Sequence, residues 1–433
     1  MFLEGIRMNN IRFHSQKEIS QSYDVVVAGG GLAGVMAACS AAREGMRVLI
    51  VEKYGFLGGM ATAGLVNPFM SFYERGGGNV VANAGLFASL LEKVYSLGGS
   101  NSPNSHSYME EFVKLALDRM CAEHGVKVLF HSLLTDAELS GNTIKSITVS
   151  GCSGNIRITA PVFVDSTGDA DLTAFAGLEY MLGRDIDGLC QPMTLCFRLA
   201  NVDWKRFDRQ KAQTLYKEMR GNGQLRNPRE DILIFNLPVE NIMHLNTTRI
   251  VGRNPVDVED LSAAETEARE QVYEMYRFMR ENIAGMEDCV LVMSAPETGI
   301  RESRRIAGLY ELTQEDILTA RKFDDRIARG TYSIDIHNPA GTGTVIMNVP
   351  DHDYYTIPLR SMIVRGSDNL IVAGRPICST HEAHSAIRVM PITSCIGEAA
   401  GAACALAAKA DLPFADVNVN TLQNILTDKG ALI

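Results

Sequence analysis

Continuous apolar runs alternate with small-residue or amphipathic stretches along the first third of the chain. The run at 25–28 and a second run that ends at Glu52 enclose an alanine-rich stretch, a pattern typical of two buried parallel strands joined by a tightly packed helix. Apolar positions at 109–124 recur at helical spacing, and another apolar run follows at 126–130. We therefore predict a second helix and a further strand that extend the same sheet.

Two further stretches surround this predicted sheet. Residues 74–107 are rich in glycine, asparagine and serine, and one helix is predicted within them at 86–97, so the segment is interpreted as a lid. A hairpin-like stretch at 143–159 is followed by a buried strand that starts near Ala160 and ends in a small acidic turn.

The texture of the chain changes after residue 186, where alternating strands and a long polar helix are predicted. The capping-box pattern Ser262-x-x-Glu265 predicts the start of that helix. A strand at 369–375 and a helix from about 393 to 408 return to the character of the first part. We predict an α/β fold in which a Rossmann-like domain, with a parallel sheet and a βαβ unit, receives an inserted α+β domain. The predicted limits are 20–185 and 359–433 for the first domain, 186–358 for the inserted substrate or cap domain, and 1–19 for an N-terminal arm.

The composition of the 433-residue chain narrows the function classes. A formal net charge of −10, without any run of Lys and Arg, argues against nucleic acid as a partner. Nine cysteines without C-x-x-C spacing support neither a metal site nor disulfides, so a reducing, cytoplasmic location is expected. The apolar segment 392–408 contains Glu398, and its glycines stand at GxxxG spacing, so it is interpreted as a core helix that approaches a neighbour closely.

A glycine-rich turn between the first strand and the first helix carries the clearest chemical signal. Gly29 suits a tight turn, Gly31 lets a pyrophosphate approach the backbone, and Gly34 lets the helix pack closely on the sheet. The helix N-terminus offers free N–H groups and a positive dipole end to phosphates. Glu52 ends the second strand, where it is placed to accept hydrogen bonds from ribose hydroxyls. An ordinary strand-to-helix turn is the alternative, but the strand, helix and acid together favour a dinucleotide site.

Three more small-residue loops follow predicted strands. They are the loop at 58–62, the turn at Thr167 and Gly168, and the strand end at Gly374. Because ligands bind beyond the carboxyl ends of the strands in open α/β sheets, these loops are expected to meet at the same nucleotide site.

Taken together, these separated motifs resemble the FAD-dependent oxidoreductase family, within the glutathione-reductase-like superfamily that also holds fumarate reductase flavoproteins and thiazole synthases. The resemblance spans nearly the whole chain. It rests on VVVAGGGLAG with Glu52, FLGGMATAG, VFVDSTGDADL, IRESRRIAG, YTIPLRSMI and the long segment that begins NLIVAGRPICSTHEAHSAIRVM. It implies non-covalent FAD, bound by the first and last parts of the chain, with the flavin ring at the junction with the inserted domain.

The resemblance also implies which residues contact FAD. Leu133 or Leu134 would touch the adenine, and Asp169 and Arg375 would lie near the diphosphate and ribityl chain. The helix that starts near Ile392 would face the flavin O2 and stabilise negative charge on the reduced ring. The full predicted cofactor-binding set is Gly29, Gly31, Leu32, Ala33, Gly34, Glu52, Lys53, Gly58, Gly59, Met60, Ala61, Thr62, Leu133, Leu134, Thr167, Gly168, Asp169, Gly374, Arg375, Arg388 and Ile392.

Histidines and arginines supply the candidates for catalysis. His381 and His384 follow the strand that should end near the flavin, where a histidine can move the proton that accompanies hydride transfer. The alternative is that they only hydrogen-bond the backbone or the FAD phosphates. His337 is a further acid–base candidate, with a buried structural role as its alternative.

The cluster Arg301-Glu-Ser-Arg-Arg305 is interpreted as a clamp for a substrate carboxylate. Guanidinium groups match planar anions with two parallel hydrogen bonds, and three arginines this close would otherwise repel one another. Arg301 and Arg305 are therefore named as site residues, with Glu302 holding an arginine in place. The alternative is a salt-bridge network between domains.

Three departures from better-known relatives shape the functional prediction. The chain has no histidine between Glu52 and Pro68 for a covalent flavin, no cysteine motif for a cluster, and no second G-x-G-x-x-G for NAD(P)H. We predict an FAD-dependent oxidoreductase that transfers a hydride between a small polar substrate, for which a carboxylate is a candidate group, and flavin N5. The alternatives are a thiazole-synthase-like, non-redox nucleotide-modifying enzyme and a flavoprotein subunit that relays electrons. An electron-carrier protein is accordingly a candidate partner.

Overall fold

The computed structural model of the chain describes residues 17–18 and 22–433. The predicted N-terminal arm at 1–19 therefore lies outside the described residues, apart from Lys17 and Glu18. The strands are β1 Lys17–Glu18, β2 Val25–Ala28, β3 Val48–Val51, β4 Lys127–Leu129, β5 Leu133–Ser140, β6 Thr143–Gly151, β7 Gly154–Ile158, β8 Val162–Asp165, β9 Tyr180–Leu182, β10 Phe197–Ala200, β11 Ile234–Asn236, β12 Ile242–Leu245, β13 Val290–Ser294, β14 Arg304–Ile306, β15 Arg326–Gly330, β16 Ile334–His337, β17 Thr344–Met347, β18 Tyr355–Pro358 and β19 Leu370–Val372. The helices are α1 Leu32–Arg43, α2 Leu86–Ser96, α3 Glu110–Glu123, α4 Asp171–Phe175, α5 Arg209–Gly221, α6 Val258–Asn282, α7 Gln314–Leu318, α8 His381–Ile387, α9 Met390–Ala410 and α10 Val419–Asp428.

A five-stranded parallel sheet, in the order β19-β8-β2-β3-β4, carries the predicted nucleotide unit. Strands β2, β3, β8 and β19 are fully buried, because helices cover the sheet. The strands are rich in valine, leucine and isoleucine, as is typical of a parallel sheet that is buried on both faces. The sheet joins strands from both ends of the chain, as β8 pairs with β2 and with β19. The predicted α/β fold with a parallel βαβ unit is confirmed.

Helix α9 is the longest buried helix beside this sheet, and it packs along α1. It begins at Met390, three residues before the predicted start. By length and composition α9 could cross a membrane, but 94% of its most apolar window is buried inside the protein, as is typical of a core helix.

A separate antiparallel sheet, in the order β11-β12-β10-β13, packs against helices α5 and α6. Helix α6 begins at Val258, and the predicted capping box at Ser262 is wrong. Asp257 is the N-cap instead, because its carboxylate accepts hydrogen bonds from the backbone N–H groups of Glu259 and Asp260. The Ser262 hydroxyl donates to the carbonyl of Val258 within the helix.

Two hydrophobic clusters divide the interior. The second cluster draws on residues 193–295 and Leu65, whereas buried residues at 306–357 pack with the parallel sheet in the first cluster. The predicted inserted domain at 186–358 stays a prediction, and its last third packs with the first cluster. Residues 300–305 lie between the two clusters along the chain, so the arginine cluster stands where both can contribute to a site.

Candidate functional site

Helix α1 starts shortly after strand β2, and no side chain caps its N-terminus. Gly29 has a φ of +99°, and a Cβ there would lie 2.3 Å from the carbonyl oxygen of Ser166, so only glycine fits this turn. A Cβ on Gly34 would lie 2.0 Å from the carbonyl oxygen of Gly29, which fixes close packing of the helix on the turn. Gly31, the N-cap, makes no side-chain cap, so the first N–H groups of the helix face the adjoining space.

A second glycine loop lies against the first. The N–H of Gly58 donates to the carbonyl of Gly30 at 2.8 Å, and a Cβ built on Gly59 would lie 3.0 Å from the Cα of Gly31. Gly58 has a φ of +115° and Gly59 has a φ of +54°. A Cβ on Gly31 itself would meet only the Cα of Gly59, at 4.0 Å. The backbones of the two loops therefore border an open cradle beside the α1 N-terminus.

Glu52 holds the floor of this cradle. Its carboxylate accepts hydrogen bonds from the N–H groups of Gly30 at 2.7 Å and Tyr54 at 2.8 Å. Burial raises the pKa of the Glu52 carboxyl above its usual value, and the two backbone hydrogen bonds oppose that rise. A carboxylate has about four acceptor sites, so acceptor capacity remains for ribose hydroxyls.

The strand end at β8 adds an ordered acidic turn. Asp165 is fully buried and accepts hydrogen bonds from the backbone N–H and hydroxyl of both Thr167 and Thr173. Asp169 accepts from the hydroxyl of Ser303 at 2.5 Å and forms an ion pair with Arg375. Asp165 thus fixes the turn, and Asp169 connects it to residues from distant parts of the chain.

Helix α9 brings a second uncapped N-terminus to the same place. Val389 is its N-cap and supplies no side-chain hydrogen bond, while Met390 and Thr393 in the first turns line the cavity. Ile392 is fully buried and does not line it. The Nε atoms of Arg375 and Arg388 are buried without a hydrogen-bond partner, although both side chains line the cavity.

One cavity collects most of the predicted cofactor residues. The predicted residues that line it are Gly29, Gly31, Leu32, Ala33, Glu52, Lys53, Gly58, Gly59, Met60, Ala61, Thr167, Gly168, Asp169, Gly374, Arg375 and Arg388. Gly34 and Thr62 do not line the cavity. Gly34 packs against the carbonyl of Gly29, and the Thr62 hydroxyl donates a hydrogen bond to the carbonyl of Leu57. Leu133 is exposed and Leu134 is buried in the core, and neither lines the cavity.

Sequence reasoning missed several lining residues. Glu297 is the most informative, because it accepts a hydrogen bond from Lys53 at 2.9 Å and another from the hydroxyl of Tyr54. No motif marks Glu297 in the sequence, since it comes from a segment far along the chain. The other lining residues that were not predicted are Tyr54, Ser166, Ile300, Ala373, Met390 and Thr393.

A second cavity, of about 520 Å³, adjoins the first and shares Met60, Ile300, Arg375, Arg388 and Met390 with it. Its volume is within the range of ligand pockets, which runs from about 300 to 1,000 Å³. Because five residues belong to both linings, a ligand in the second cavity would lie next to a ligand in the first.

Arg301 points into this second cavity with unusual partners. Its guanidinium donates to the carbonyl of Pro192 at 2.6 Å and to the side-chain oxygen of Asn246 at 3.5 Å. Within the described part of the chain, Arg301 forms no ion pair with a carboxylate. Burial, followed by the positive charges of Arg388 and Arg229, lowers the pKa of Arg301 below its usual value. An anion in the cavity would relieve that repulsion.

Four further polar side chains that line the same cavity contact one another. The hydroxyl of Tyr332 donates to Oδ2 of Asp335 at 3.1 Å, and Nε2 of His337 lies 3.6 Å from the same oxygen. Nδ1 of His337 lies 3.2 Å from the hydroxyl of Thr344. Burial and the charge of Arg301 lower the pKa of His337 to about 3, so this histidine is neutral at ordinary pH.

Arg305 and His381 belong to a buried network outside both cavities. Glu302 forms an ion pair with Arg305, and its carboxylate lies 2.8 Å from Nδ1 of His381. Arg305 also donates to the carbonyls of Ser379 at 2.8 Å and Gly183 at 2.9 Å. The structure therefore separates the predicted Arg301–Arg305 pair, since Arg301 lines the substrate-sized cavity and Arg305 is bonded at all three guanidinium nitrogens. The predicted role of Glu302 in holding an arginine agrees with this geometry.

His384 is fully buried, and neither ring nitrogen has a hydrogen-bond partner. Burial and the positive charges of Arg305 and Arg388 hold the pKa of His384 well below its usual value. It lines neither cavity, so its predicted role in proton transfer has no support from its position.

The described residues contain no group of three or more His, Cys, Asp or Glu side chains arranged to hold a metal ion.

A family model described as FAD dependent oxidoreductase matches residues 24–426. No curated protein matches the chain. Among solved structures, a geranylgeranyl bacteriochlorophyll reductase-like protein from Thermoplasma acidophilum is 13% identical, with 96% of this chain and 84% of that chain covered and a TM-score of 0.47. A flavin-dependent brominase is also 13% identical, with 93% and 83% covered and a TM-score of 0.48. A p-nitrophenol 4-monooxygenase from Pseudomonas putida DLL-E4 is 11% identical, with 96% and 85% covered and a TM-score of 0.44.

Proposed function

The chain belongs to the FAD-dependent oxidoreductase family, and from that premise we propose that it transfers a hydride between a carboxylate-bearing substrate and N5 of the flavin. FAD is the cofactor, and the protein is an enzyme of the oxidoreductase class. When bound, the flavin accepts or gives two electrons as a hydride. The hydride transfer and the class of substrate are the parts proposed here.

The residues of the first cavity fit FAD. Two uncapped helix N-termini, those of α1 and α9, line one cavity, and such termini favour the phosphates and a reduced, negatively charged ring. A side chain on Gly31 would fill the cradle between the glycine loops. The unpartnered Nε atoms of Arg375 and Arg388 are donors that a bound group would satisfy. Glu52 would hold the ribose and Arg375 the phosphate side.

The observation that carries the substrate proposal is the state of Arg301. A buried guanidinium normally pairs with a carboxylate, because leaving its charge unpaired in the interior is costly. Arg301 hydrogen-bonds only two neutral oxygens, and the positive charges of Arg388 and Arg229 lower its pKa more than the nearby carboxylate of Asp335 raises it. A substrate carboxylate would supply the missing negative charge through two parallel hydrogen bonds.

The shared lining of the two cavities supports a substrate next to the flavin. Arg388 and Met390 belong to both linings, and Met390 also begins the helix whose N-terminus is the expected neighbour of the flavin ring. A cavity of ligand size that shares its lining with the first favours direct substrate turnover over the alternative of electron relay to a partner protein. All nine cysteines are free, which supports the proposed cytoplasmic, reducing location.

The test is anaerobic reduction of the purified, flavin-loaded protein by single compounds. We expect one acid from a panel of lactate, glycolate, mandelate, malate and succinate to bleach the flavin absorbance near about 450 nm without a partner protein. Arg301→Met should retain flavin but lose about 10- to 100-fold in apparent affinity for that acid, the value of a charge-assisted hydrogen bond. Arg253→Met is the matched control, because Arg253 pairs at the surface with Asp260 and Glu267.

Three results would count against the proposal. If no acid reduces the bound flavin but sugars or alcohols do, the proposal of a carboxylate-bearing substrate is wrong. If Arg301→Met leaves the affinity for the reducing acid unchanged, Arg301 does not bind the substrate carboxylate. A purified protein that binds no flavin would favour the alternative of a non-redox, nucleotide-modifying enzyme.

A further inference from the structure

Tyr332 lines the second cavity, and its hydroxyl already has a proton acceptor in place. We propose that Tyr332 is a catalytic residue that takes up the substrate proton during hydride transfer, with Asp335 as the positioning residue that receives the proton of the tyrosine. This inference rests on the proposed function and adds the proton pathway that the hydride transfer requires.

The geometry of the pair supports this role. The Tyr332 hydroxyl donates to Oδ2 of Asp335 at 3.1 Å, which leaves the lone pairs of the phenolic oxygen free to accept a hydrogen bond from a ligand in the cavity. Both residues line the cavity together with Arg301. A carboxylate held by Arg301 therefore places the remaining part of the same substrate within the cavity that Tyr332 borders.

Asp335 is held firmly for this purpose. Its backbone N–H donates to the hydroxyl of Ser385 at 3.0 Å, and its backbone carbonyl accepts from the guanidinium of Arg388 at 3.4 Å. Burial works to raise the pKa of the Asp335 carboxyl, but the contact with His337 and the charge of Arg388 hold the pKa below its usual value. The carboxylate is thus ionised. Burial and the charge of Asp335 raise the pKa of Tyr332 above its usual value, so Asp335 is a weak proton acceptor until a substrate is bound.

The other candidates for proton transfer are less suited. His337 is engaged at both ring nitrogens, by Asp335 and by Thr344, and it is neutral. His381 is bound to Glu302 outside the cavity, and His384 lines neither cavity. The hydroxyl of Thr194 also lines the cavity, but it donates to the carbonyl of Thr248. Tyr332 is the lining residue whose phenolic O–H donates to a carboxylate, so it can pass on its own proton as it takes up another.

The step balances as follows in the direction of substrate oxidation. One substrate C–H bond breaks and its hydrogen leaves with two electrons to the oxidised flavin, while an O–H or a neighbouring C–H bond of the substrate releases a proton to the phenolic oxygen of Tyr332. The O–H bond of Tyr332 breaks at the same time, and that proton passes to the Asp335 carboxylate. The substrate is oxidised by two electrons, the flavin is reduced, and the proton rests on Asp335. The reverse order applies to substrate reduction.

Binding of the substrate carboxylate assists the acceptor. The charge of Arg301 contributes to the lowered pKa of both Asp335 and His337. An anion bound to Arg301 offsets that charge, so Asp335 becomes a better proton acceptor when the substrate is in place. Binding of a carboxylate to Arg301 and proton uptake by Asp335 are therefore coupled, because the charge of Arg301 acts on both.

The experiment compares flavin-loaded wild type with Tyr332→Phe, using the panel acid that reduces the wild-type flavin fastest. We expect Tyr332→Phe to retain flavin and to reduce it about 100-fold more slowly or worse, within the range of acid–base catalysis. Oxalate, which cannot be oxidised by hydride transfer, serves as the equilibrium probe, and its dissociation constant from flavin difference spectra should change by less than about threefold. A solvent isotope effect on wild-type flavin reduction in D₂O should be lost in the variant.

Tyr310→Phe is the matched control. The hydroxyl of Tyr310 likewise donates to a carboxylate, that of Asp316 at 2.9 Å, but Tyr310 lines neither cavity. Its flavin reduction should equal that of wild type. Flavin reduction by Tyr332→Phe at the wild-type rate would overturn the proton role and leave the carboxylate proposal standing. Equal losses of rate and oxalate affinity would also overturn it, since they indicate a role in binding or structure. A wild-type protein that no acid reduces would overturn both proposals.

Discussion

The carbonyl oxygen of Ala33 occupies the place that a side chain on Gly397 would need. A Cβ built on Gly397 would lie 2.1 Å from that oxygen, and one turn later a Cβ on Gly401 would lie 2.0 Å from the carbonyl oxygen of Ala37. The two glycines thus let helix α9 lie directly on helix α1. Because both helix N-termini line the first cavity, the contact also sets the distance between the two ends that we propose to surround FAD.

Replacing Gly397 by alanine should destabilise the protein despite the better helix propensity of alanine. The new methyl group meets a backbone carbonyl that cannot move without shifting α1, so we expect a loss of about 2 kcal/mol in the free energy of unfolding by urea. Gly221→Ala is the control, since Gly221 is also helical and has open space around its Cβ position. It should be neutral or stabilise by up to about 1 kcal/mol. Equal behaviour of the two variants would contradict the close contact.

The contact between the helices was predictable because it depends on glycine spacing in one apolar segment. The same holds for β2, α1 and Glu52, where a continuous strand, a glycine turn and an acid stand close together in the sequence. Such local patterns are predictable because the residues that determine the geometry are close together in the sequence.

The second cavity was harder to predict, because its walls come from segments that are distant in sequence. Arg301 and Arg305 look equivalent in the sequence, and only the fold turns one toward the cavity and the other into a network with Glu302. Tyr332 and Glu297 carry no motif and were missed. The start of α6 was mispredicted for a different reason, since Asp257 and Ser262 both suit helix starts and the choice depends on where the preceding loop joins.

Gly31→Val should yield a folded protein without flavin. The backbone of Gly31 has a φ of −65°, which valine adopts, and the space at its Cβ is open in the protein alone. The added side chain would project into the cradle where the pyrophosphate is expected, so the flavin absorbance per mole of protein after gel filtration should fall by more than about tenfold. Gly29→Ala should instead lose stability, because its Cβ meets the backbone of Ser166. A fully yellow Gly31→Val protein would place the pyrophosphate elsewhere.

Buried neutral histidines should make the protein sensitive to mild acid. Burial, followed by the charge of Arg198, lowers the pKa of His244 to about 3. In the unfolded chain the pKa is about 6.5, so the unfolded state binds a proton that the native state does not as the pH falls below that value. Stability is therefore present above pH 6.5 or so and is lost as the pH falls toward 3. One such histidine costs about 2 kcal/mol at pH 5.

The measurement is the urea midpoint at pH 7 and at pH 5 for wild type and His244→Phe. The variant should lose about 1 to 2 kcal/mol less between the two pH values than wild type does. His124→Phe is the control, because His124 lies partly exposed at the end of α3. The same pH dependence in all three proteins would show that His244 is protonated in the native state.

The ion pair between Arg198 and Glu110 joins the sheet of the second cluster to helix α3 beside the parallel sheet. Both side chains are about 4% exposed, and the pair is bidentate, with one N–O distance of 2.6 Å. Removal of one partner leaves a buried charge without compensation, so Arg198→Met should lower the free energy of unfolding by about 3 to 5 kcal/mol. The double replacement Arg198→Met with Glu110→Met should recover most of that loss, because apolar residues of similar size replace a buried pair at little net cost. The exposed pair Arg206 and Glu287 provides the comparison, where Arg206→Met should cost less than about 1 kcal/mol. Urea unfolding of the four proteins, wild type included, is the measurement. If the double variant is no more stable than Arg198→Met, the pair contributes through something other than charge compensation.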